Sequence, residues 1–599
     1  MKKRISIALI LSLMGLVSCE DFKFGNDFLE KPVSDEMNID SVFSKKVYAE
    51  QQLAQTYHSL PDFLPLNGRL KWGILEGVTD LCDQGDSYHD GSLTSATSSS
   101  GAYSLIYNEE HGEMSATYGI RQAYIFLENV DRVPDMTNEE KNIRKGEAMM
   151  IIAYHYVDMF RNLGGMPWID HAYTPEDDMH MERMTIAEAV ERISSLIDQA
   201  AALLPWTVIA NDDGRMTKAG ALALKSRLLT FAASPLYNSD QPYRDGEAAD
   251  KHYVWWGDYQ QDRWQAALDA GLAFLRENKA QGDVYQLVDN GDPGDSFFRG
   301  YFERWNFEVL IASHRYTQCQ REIYPVYLIS WGRGRPLLNY ADMFQMQDGS
   351  EFDWDNPEHR AHPFYTEDKQ KVRDPRLYET LWLTGSPFWG RTCEIYRGGR
   401  EQPKYMGGGQ DWRWDNQGLT GFAMKKLVLD QYTDYNGRMY QCPLMRLPEI
   451  YFNIAEAMNE LGIAEQKDEF GRDAYDYVNL VRARVDMPPI TSDMVAPGKD
   501  LREYILDERA REFGYEEVRY FDIARWMRKD LLEETPRRLE IFPVEPKIDG
   551  EYRNFTYEIK TDYLNERRWI QYWDNKYYLC PISQEEINKK YGLVQNPGW

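Results

Sequence analysis

A chain of 599 residues with 96 acidic against 68 basic side chains has a formal net charge of −28. It is long enough to bury a large core and would ordinarily divide into more than one structural unit, and its charge excludes nucleic acid, which repels such a surface on approach. Its 17 Trp, 40 Tyr and 24 Phe supply flat apolar faces, many with polar tips, which suit the C–H faces of sugar rings once core packing has taken its share.

The first elements set the compartment. Lys2, Lys3 and Arg4 precede an apolar run from Ile5 to Val17, too short to span a bilayer. Leu16-Val17-Ser18-Cys19 matches a lipobox, so residues 1–18 read as a lipoprotein signal peptide with Cys19 as the lipid-attachment residue. Each buried CH₂ of an acyl chain contributes roughly 0.8 kcal/mol, so three chains on one Cys hold firmly to a membrane. Glu20-Asp21 resembles a surface-export tag of lipoproteins, and residues 19–41, with Pro32, read as a tether. No other apolar stretch approaches membrane-span length. The remaining cysteines, Cys82, Cys319, Cys393, Cys442 and Cys580, are odd in number and widely spaced. That pattern argues against a disulfide framework, and the absence of any Cys-x-x-Cys argues against a zinc ribbon.

Residues 42–280 form an N-terminal helical region. A helix is predicted through Val47, Leu53 and Tyr57. A polar loop from Thr79 to Gly101 follows, with Asp80, Asp83, Asp86 and Asp90 and the low-complexity run 94–100. Ile120, Ala123, Tyr124 and Leu127 then repeat at helical spacing. Ile143 opens an apolar face that continues to Phe160 and stops at Gly164-Gly165. Further helices are predicted over Thr185–Leu204, Lys218–Ala233 and about Gln261–Leu275. Such a series implies antiparallel helix pairs of tetratricopeptide type, although the strict 34-residue consensus is absent.

Residues 281–440 read as a loop-rich insertion. Short β-type runs such as Glu308–Ile311 alternate with Gly tracts at Gly332–Gly334, Gly398-Gly399 and Gly407–Gly409. Helices return over Leu447–Met458, over Ala474–Val485 before Pro488-Pro489, and over Leu501–Phe513 before Gly514. Asp507 and Arg511 stand one turn apart. The fold class is therefore mainly α, with helix pairs supporting a loop-rich face and short strands.

These late helices carry a recognisable signature. Arg446-Leu447-Pro448-Glu449-Ile450-Tyr451, leading to Ala455-Glu456-Ala457, resembles the "R-L-x-E-I-Y-x-x-x-A-E-A" helix of the SusD/RagB family. Val478–Arg484 follows, then Ile505–Phe513, similar to its "I-x-x-E-R-x-x-E-F" helix. Arg519, Asp522 and Trp526 continue the match, and the chain closes on Gln595-Asn596-Pro597-Gly598-Trp599. Nearer the front, Gly146-Glu147-Ala148 and Gly164-Gly165-Met166-Pro167 resemble its "G-E-A … Y-G-G-x-P" helix. The resemblance spans residues 19–599 in order. It implies four tetratricopeptide-like helix pairs and a surface lipoprotein of the outer membrane. It also implies a SusC-like TonB-dependent transporter as partner and an oligosaccharide as the commonest ligand, with peptide the RagB-type alternative.

No catalytic constellation stands out. There is no G-x-S-x-G, H-E-x-x-H or phosphate-binding Gly-rich loop. His359 and His362 are too few for zinc. Asp353, Asp355 and Asn356 offer oxygen ligands without the Gly and closing Glu of a calcium loop. The chain reads as a non-enzyme that needs no cofactor or metal. A glycoside hydrolase stays open as the enzyme alternative, because some carboxylate pair among 96 acids will always fit. Glu508, Arg509, Glu512 and Arg519 read as an ion-pair network between helices. Two loop segments are the ligand candidates. Trp72, Asp83, Asp86 and Tyr88, with His89, belong to the first. Trp331 and Arg333, with Arg335, belong to the second, just before Asp342 and Phe344. Trp354, Trp382, Trp389, Trp412 and Trp414 are weaker loop aromatics.

Overall fold

A computed structural model describes residues 39–61, 74–83, 91–97, 115–314, 334–388, 390–401, 420–427, 441–495, 500–562, 564 and 567–599. Cys19 and most of the tether lie outside them. Among the described residues, six helices of twelve residues or more come first: α1 Lys46–Tyr57, α2 Ala116–Asn129, α3 Asn138–Leu163, α4 Ile186–Leu203, α5 Lys218–Ala233 and α6 Asp262–Ala280. After the inserted segment come α7 Leu447–Glu460, α8 Ala474–Arg484, α9 Leu501–Phe513 and α10 Val518–Arg525. None of the described helices is long and apolar enough to cross a membrane.

Local chemistry sets the helix ends. Thr137 with Glu140 and Thr185 with Glu188 form capping boxes at the starts of α3 and α4, each satisfying otherwise orphaned backbone N–H groups. Gly164 ends α3 at φ +83°, a conformation that a side chain would strain. α7 overruns its predicted end by two residues and α6 by five. The last turn of α6 is mostly polar, so apolar spacing lost the helix before the backbone did.

The helices stack in sequence. Each of α1 to α7 packs on the next, and α1 on α3, α3 on α5 and α5 on α7 as well. Contact between the first members of successive pairs is the geometry of a tetratricopeptide array. α4 shows the driving force, burying Ile186, Ala189, Val190, Ile193, Ile197 and Ala200 along one face. Each Ile or Val so buried contributes roughly 1.5–3 kcal/mol. At the α6–α7 crossing the helices approach closely: a Cβ on Gly271 would lie 2.5 Å from Ile454 Cγ1. The spacing of the array thus survives the insertion of some 160 residues between α6 and α7.

Short strands tie the insertion down. β1 is Cys82–Asp83, β2 Val309–Ser313, β3 Arg335–Pro336, β4 Cys442–Arg446, β5 Arg538–Val544 and β6 Asn554–Lys560. All pair antiparallel: β1 with β3, β2 with β4 and β5 with β6. Cys82, Cys393, Cys442 and Cys580 are buried.

The signature acids and arginines form a buried ion-pair network. Glu508 accepts from Arg376 at 2.6 Å, Arg482 at 2.8 Å and Arg511 at 2.9 Å. Arg511 therefore binds Glu508 one turn back, with Asp507 adding a second negative charge nearby. Glu512 accepts from Arg446 at 2.8 Å and Arg484 at 2.6 Å, and Arg446 continues to Glu308 at 2.6 Å and Glu516 at 2.7 Å. These guanidinium groups hold the Glu508 and Glu512 carboxyls far below the usual carboxylate range despite their burial. The network joins α9 to α8, to β4 and to the short helix Pro375–Thr380 of the insertion. Burying ions costs desolvation, so such a network specifies which elements meet more than it adds net stability.

Candidate ligand-binding face

Two segments that sequence reading singled out separately meet in space. β1 and β3 pair with Cys82 opposite Pro336 and Asp83 opposite Arg335, and Leu337 N–H donates to Leu81 C=O at 2.9 Å. Of the named candidates, Asp83 lies among the described residues. Trp72, Asp86, Tyr88, Trp331 and Arg333 lie outside them, but the stems that carry their loops are defined. Asp83 is fully buried, with its carboxylate 3.7 Å from Arg335.

A third segment closes the stems. Arg567 Nη2 donates to Thr79 C=O at 2.8 Å and Cys82 C=O at 3.1 Å. Burial pulls its pKa down, against the pull of the Asp83 and Asp80 charges. Gly91, at φ +70°, leaves the Trp569 backbone close to where a Cβ would stand. Gln584 N–H donates to Ser95 C=O at 2.9 Å. Both ends of loop 84–90 are thus fixed to residues 567–584, and its first stem also to β3.

Inside this frame, Asp80 is not a loop carboxylate awaiting a ligand. It takes both guanidinium edges of Arg519, at 2.9 Å and 2.6 Å, across 439 residues of sequence. The predicted loop Thr79–Gly101 therefore begins as an anchored stem. An Asp among polar residues reads as solvated until its distant partner is known. Cys82 is equally internal: its Sγ donates to Tyr515 at 3.2 Å, and burial pushes the thiol well above its ordinary pKa. It is inert as a nucleophile.

Other sequence candidates resolve into scaffold. Trp354 Nε1 donates to Asp342 at 3.0 Å, and Arg537 reaches the same carboxylate at 3.1 Å. Burial outweighs these partners and pushes Asp342 up to about 6. Trp382 is core, packed edge-on against Phe388 at 4.8 Å. Trp389, Trp412 and Trp414 lie outside the described residues. Asp353 and Asn356 accept from backbone N–H groups of Asp355 and Glu358 at 2.8 Å and 2.9 Å, so they close their own turns. Among the described residues no group of three metal-ligating side chains converges.

Sequence reading missed the aromatic cluster beside the stems. Trp569, Tyr572, Trp573, Tyr577 and Tyr578 are five aromatics within ten residues. Trp569 and Trp573 lie 5.4 Å apart, and Tyr572 is 79% exposed. Aromatic density alone was the available signal. The backbone here is two single turns, Arg568–Gln571 and Asn575–Tyr578, too short to show a periodicity that separates core from surface.

Residues 303–599 match the model of the SusD family, SusD_RagB. Residues 27–229 match a second model, described as "Starch-binding associating with outer membrane". The chain belongs to the SusD/RagB family. Solved structures share the SusD-like fold. A SusD-like protein from Bacteroides fragilis superposes with a TM-score of 0.68 at 21% identity, over 95% of this chain and 100% of its own. A surface glycan-binding protein A from Bacteroides fluxus gives 0.57 at 16%, over 93% and 100%. A laminarin-binding SusD-like protein gives 0.54 at 15%, over 93% and 100%. No curated protein sequence matches. The four helix pairs are thus the SusD-like scaffold, and the 79–83, 91–97, 334–336 and 567–584 segments are set upon it.

Proposed function

We propose that this chain is a lipoprotein of the outer-membrane surface that binds an oligosaccharide and delivers it to a SusC-like TonB-dependent transporter, without catalysing a reaction. The observation that carries this reading is the pair of family matches, which together take in the front and back of the chain. Three further features support it. The lipobox ending at Cys19 supplies an anchor. Residues 39–41 of the expected tether belong to a helical turn; the rest, 19–38, would reach roughly 66 Å if extended, at about 3.3 Å per residue, enough for the body to swing above a barrel. The pairing of β1 with β3 joins the end of the chain before residue 84 to the start of the chain after residue 333, and the candidates Asp86, Tyr88, Trp331 and Arg333, which follow β1 and precede β3 in sequence, are residue types that would suit a sugar chain.

Glycan-array binding by the soluble form lacking residues 1–19 tests the ligand class. Selective glycan binding is expected. Tight binding to a peptide pool with no glycan binding would replace oligosaccharide by peptide, and release of shortened products from a bound glycan would make the protein a hydrolase. Co-purification of a TonB-dependent barrel with the lipidated chain tests the partner.

A further inference from the structure

A second cleft lies beside β2. One part, about 270 Å³, is lined by Tyr57 and His58 at the end of α1 and by Arg215, Ser313 and His314. A smaller recess of about 60 Å³ adjoins it across Asp213–Arg215 and Ala312 and is bordered by Tyr285, Trp305, Asn306 and Phe307. Trp305 and Phe307 are 42% and 38% exposed, with ring centroids 6.0 Å apart. Phe307 stands edge-on to the buried Tyr285 ring at 5.9 Å.

Trp305 occupies the left-handed region at φ +62°. A bulky residue rarely adopts that conformation, and its exposed ring gains little burial to offset it. Asn306 holds the turn. Its Nδ2 donates to Arg299 C=O at 3.1 Å and Glu303 C=O at 2.5 Å, while its Oδ1 accepts from Glu308 and Val309 N–H at 2.9 Å and 3.0 Å. The ring is therefore presented by a built loop.

The charges lining the cleft are already matched. Arg215 pairs with Glu50 and Glu147 at 2.7 Å and 2.8 Å, and Arg304 with Asp213 at 2.7 Å. Gln441 Nε2 donates to Glu303 C=O at 3.1 Å, which turns its Oε1 toward His314 Nε2 at 3.3 Å. Burial and the Arg304 charge keep that imidazole neutral. Little net charge is left to recruit an ion. The fitting ligand is uncharged, with an apolar face for the rings and hydroxyls for the polar wall.

We propose that this cleft is a second carbohydrate-binding site, with Trp305 and Phe307 as the stacking platform for a sugar ring. The proposal rests on the glycan-binding reading above and adds a second point of attachment for one polysaccharide chain, which would raise avidity by local concentration.

The test titrates the full lipidated chain in detergent with a panel of plant, algal, fungal and host glycans, using calorimetry. For a glycan that binds, two sites are expected. Trp305→Ala and Phe307→Ala should remove one site or weaken it about tenfold, as loss of an aromatic contact worth about 1.4 kcal/mol would, and Trp305→Phe should restore it in part. Unchanged thermal melts would show that these exposed positions do not act through folding. A single wild-type site with an identical isotherm in Trp305→Ala overturns this inference and leaves the family reading intact. So does loss of transporter association with glycan binding unchanged. Failure of every glycan to bind the wild type removes both.

Discussion

Glu76 offers a sharp test of how the stem of loop 84–90 is held. It sits on the 3₁₀ turn Leu75–Val78, just before β1, and is 1% exposed. Its Oε1 accepts Glu517 N–H at 2.7 Å, while its Oε2 is buried without a hydrogen bond. Burial and the neighbouring Glu517 charge raise its pKa from 4.5 to about 8, against the pull of Lys426. Between those values the folded chain keeps a proton that the unfolded chain has released. Its contribution to stability is therefore full below pH 4.5 and is lost as pH rises toward 8. At about 1.4 kcal/mol per pH unit the loss reaches about 3 kcal/mol at pH 7. Glu76→Gln keeps an acceptor for Glu517 N–H and cannot ionise, so it should recover that amount. With about 2.1 cal/mol/K of unfolding entropy per residue, a chain of this size gains about 3 °C in Tm at pH 7. Thermal melts of wild type and Glu76→Gln from pH 4.5 to 8.5 would check this: the two should coincide at the acid end and diverge upward for the variant. Parallel curves, or a variant no more stable at pH 8, would refute the reasoning that the Glu76–Glu517 contact is maintained by a proton.

The buried network makes the opposite pH prediction. Glu508 and Glu512 are held low, so their contribution is present above the unfolded value of 4.5 and is lost as pH falls below it; acid melts should show stability declining from there. Arg446→Ala takes one guanidinium from Glu308, Glu512 and Glu516, leaving them to Arg484, Arg376 and Lys426, and should cost about 3–5 kcal/mol by denaturant titration. Gly271→Ala should lose about 1–3 kcal/mol through the contact with Ile454, and Gly271→Ala with Ile454→Ala should recover part of it in a double-mutant cycle. Trp331→Ala should weaken glycan affinity about tenfold in calorimetry, as loss of about 1.4 kcal/mol would, with an unchanged melt; unaltered affinity would remove Trp331 from the ligand contacts.

The amino-acid sequence by itself determined the scaffold. Thr137 with Glu140, Thr185 with Glu188, and the apolar spacing of α4 and α7 act over three or four residues, so helix identity and most ends were legible. So was the reading of Glu508, Arg509, Glu512 and Arg519 as ion pairs, because helical spacing places those charges on packed faces. Tertiary structure decided what those elements enclose. Asp80 became a stem anchor only through Arg519, 439 residues away, and Arg567 reaches Thr79 across 488. Trp382 went to the core while Trp305 went to the surface, and Tyr572 emerged beside the candidate face. None of these outcomes has a local signature. A helix is specified by interactions within one turn, whereas a binding face is specified by which distant segments meet, and that is fixed only when the whole array packs.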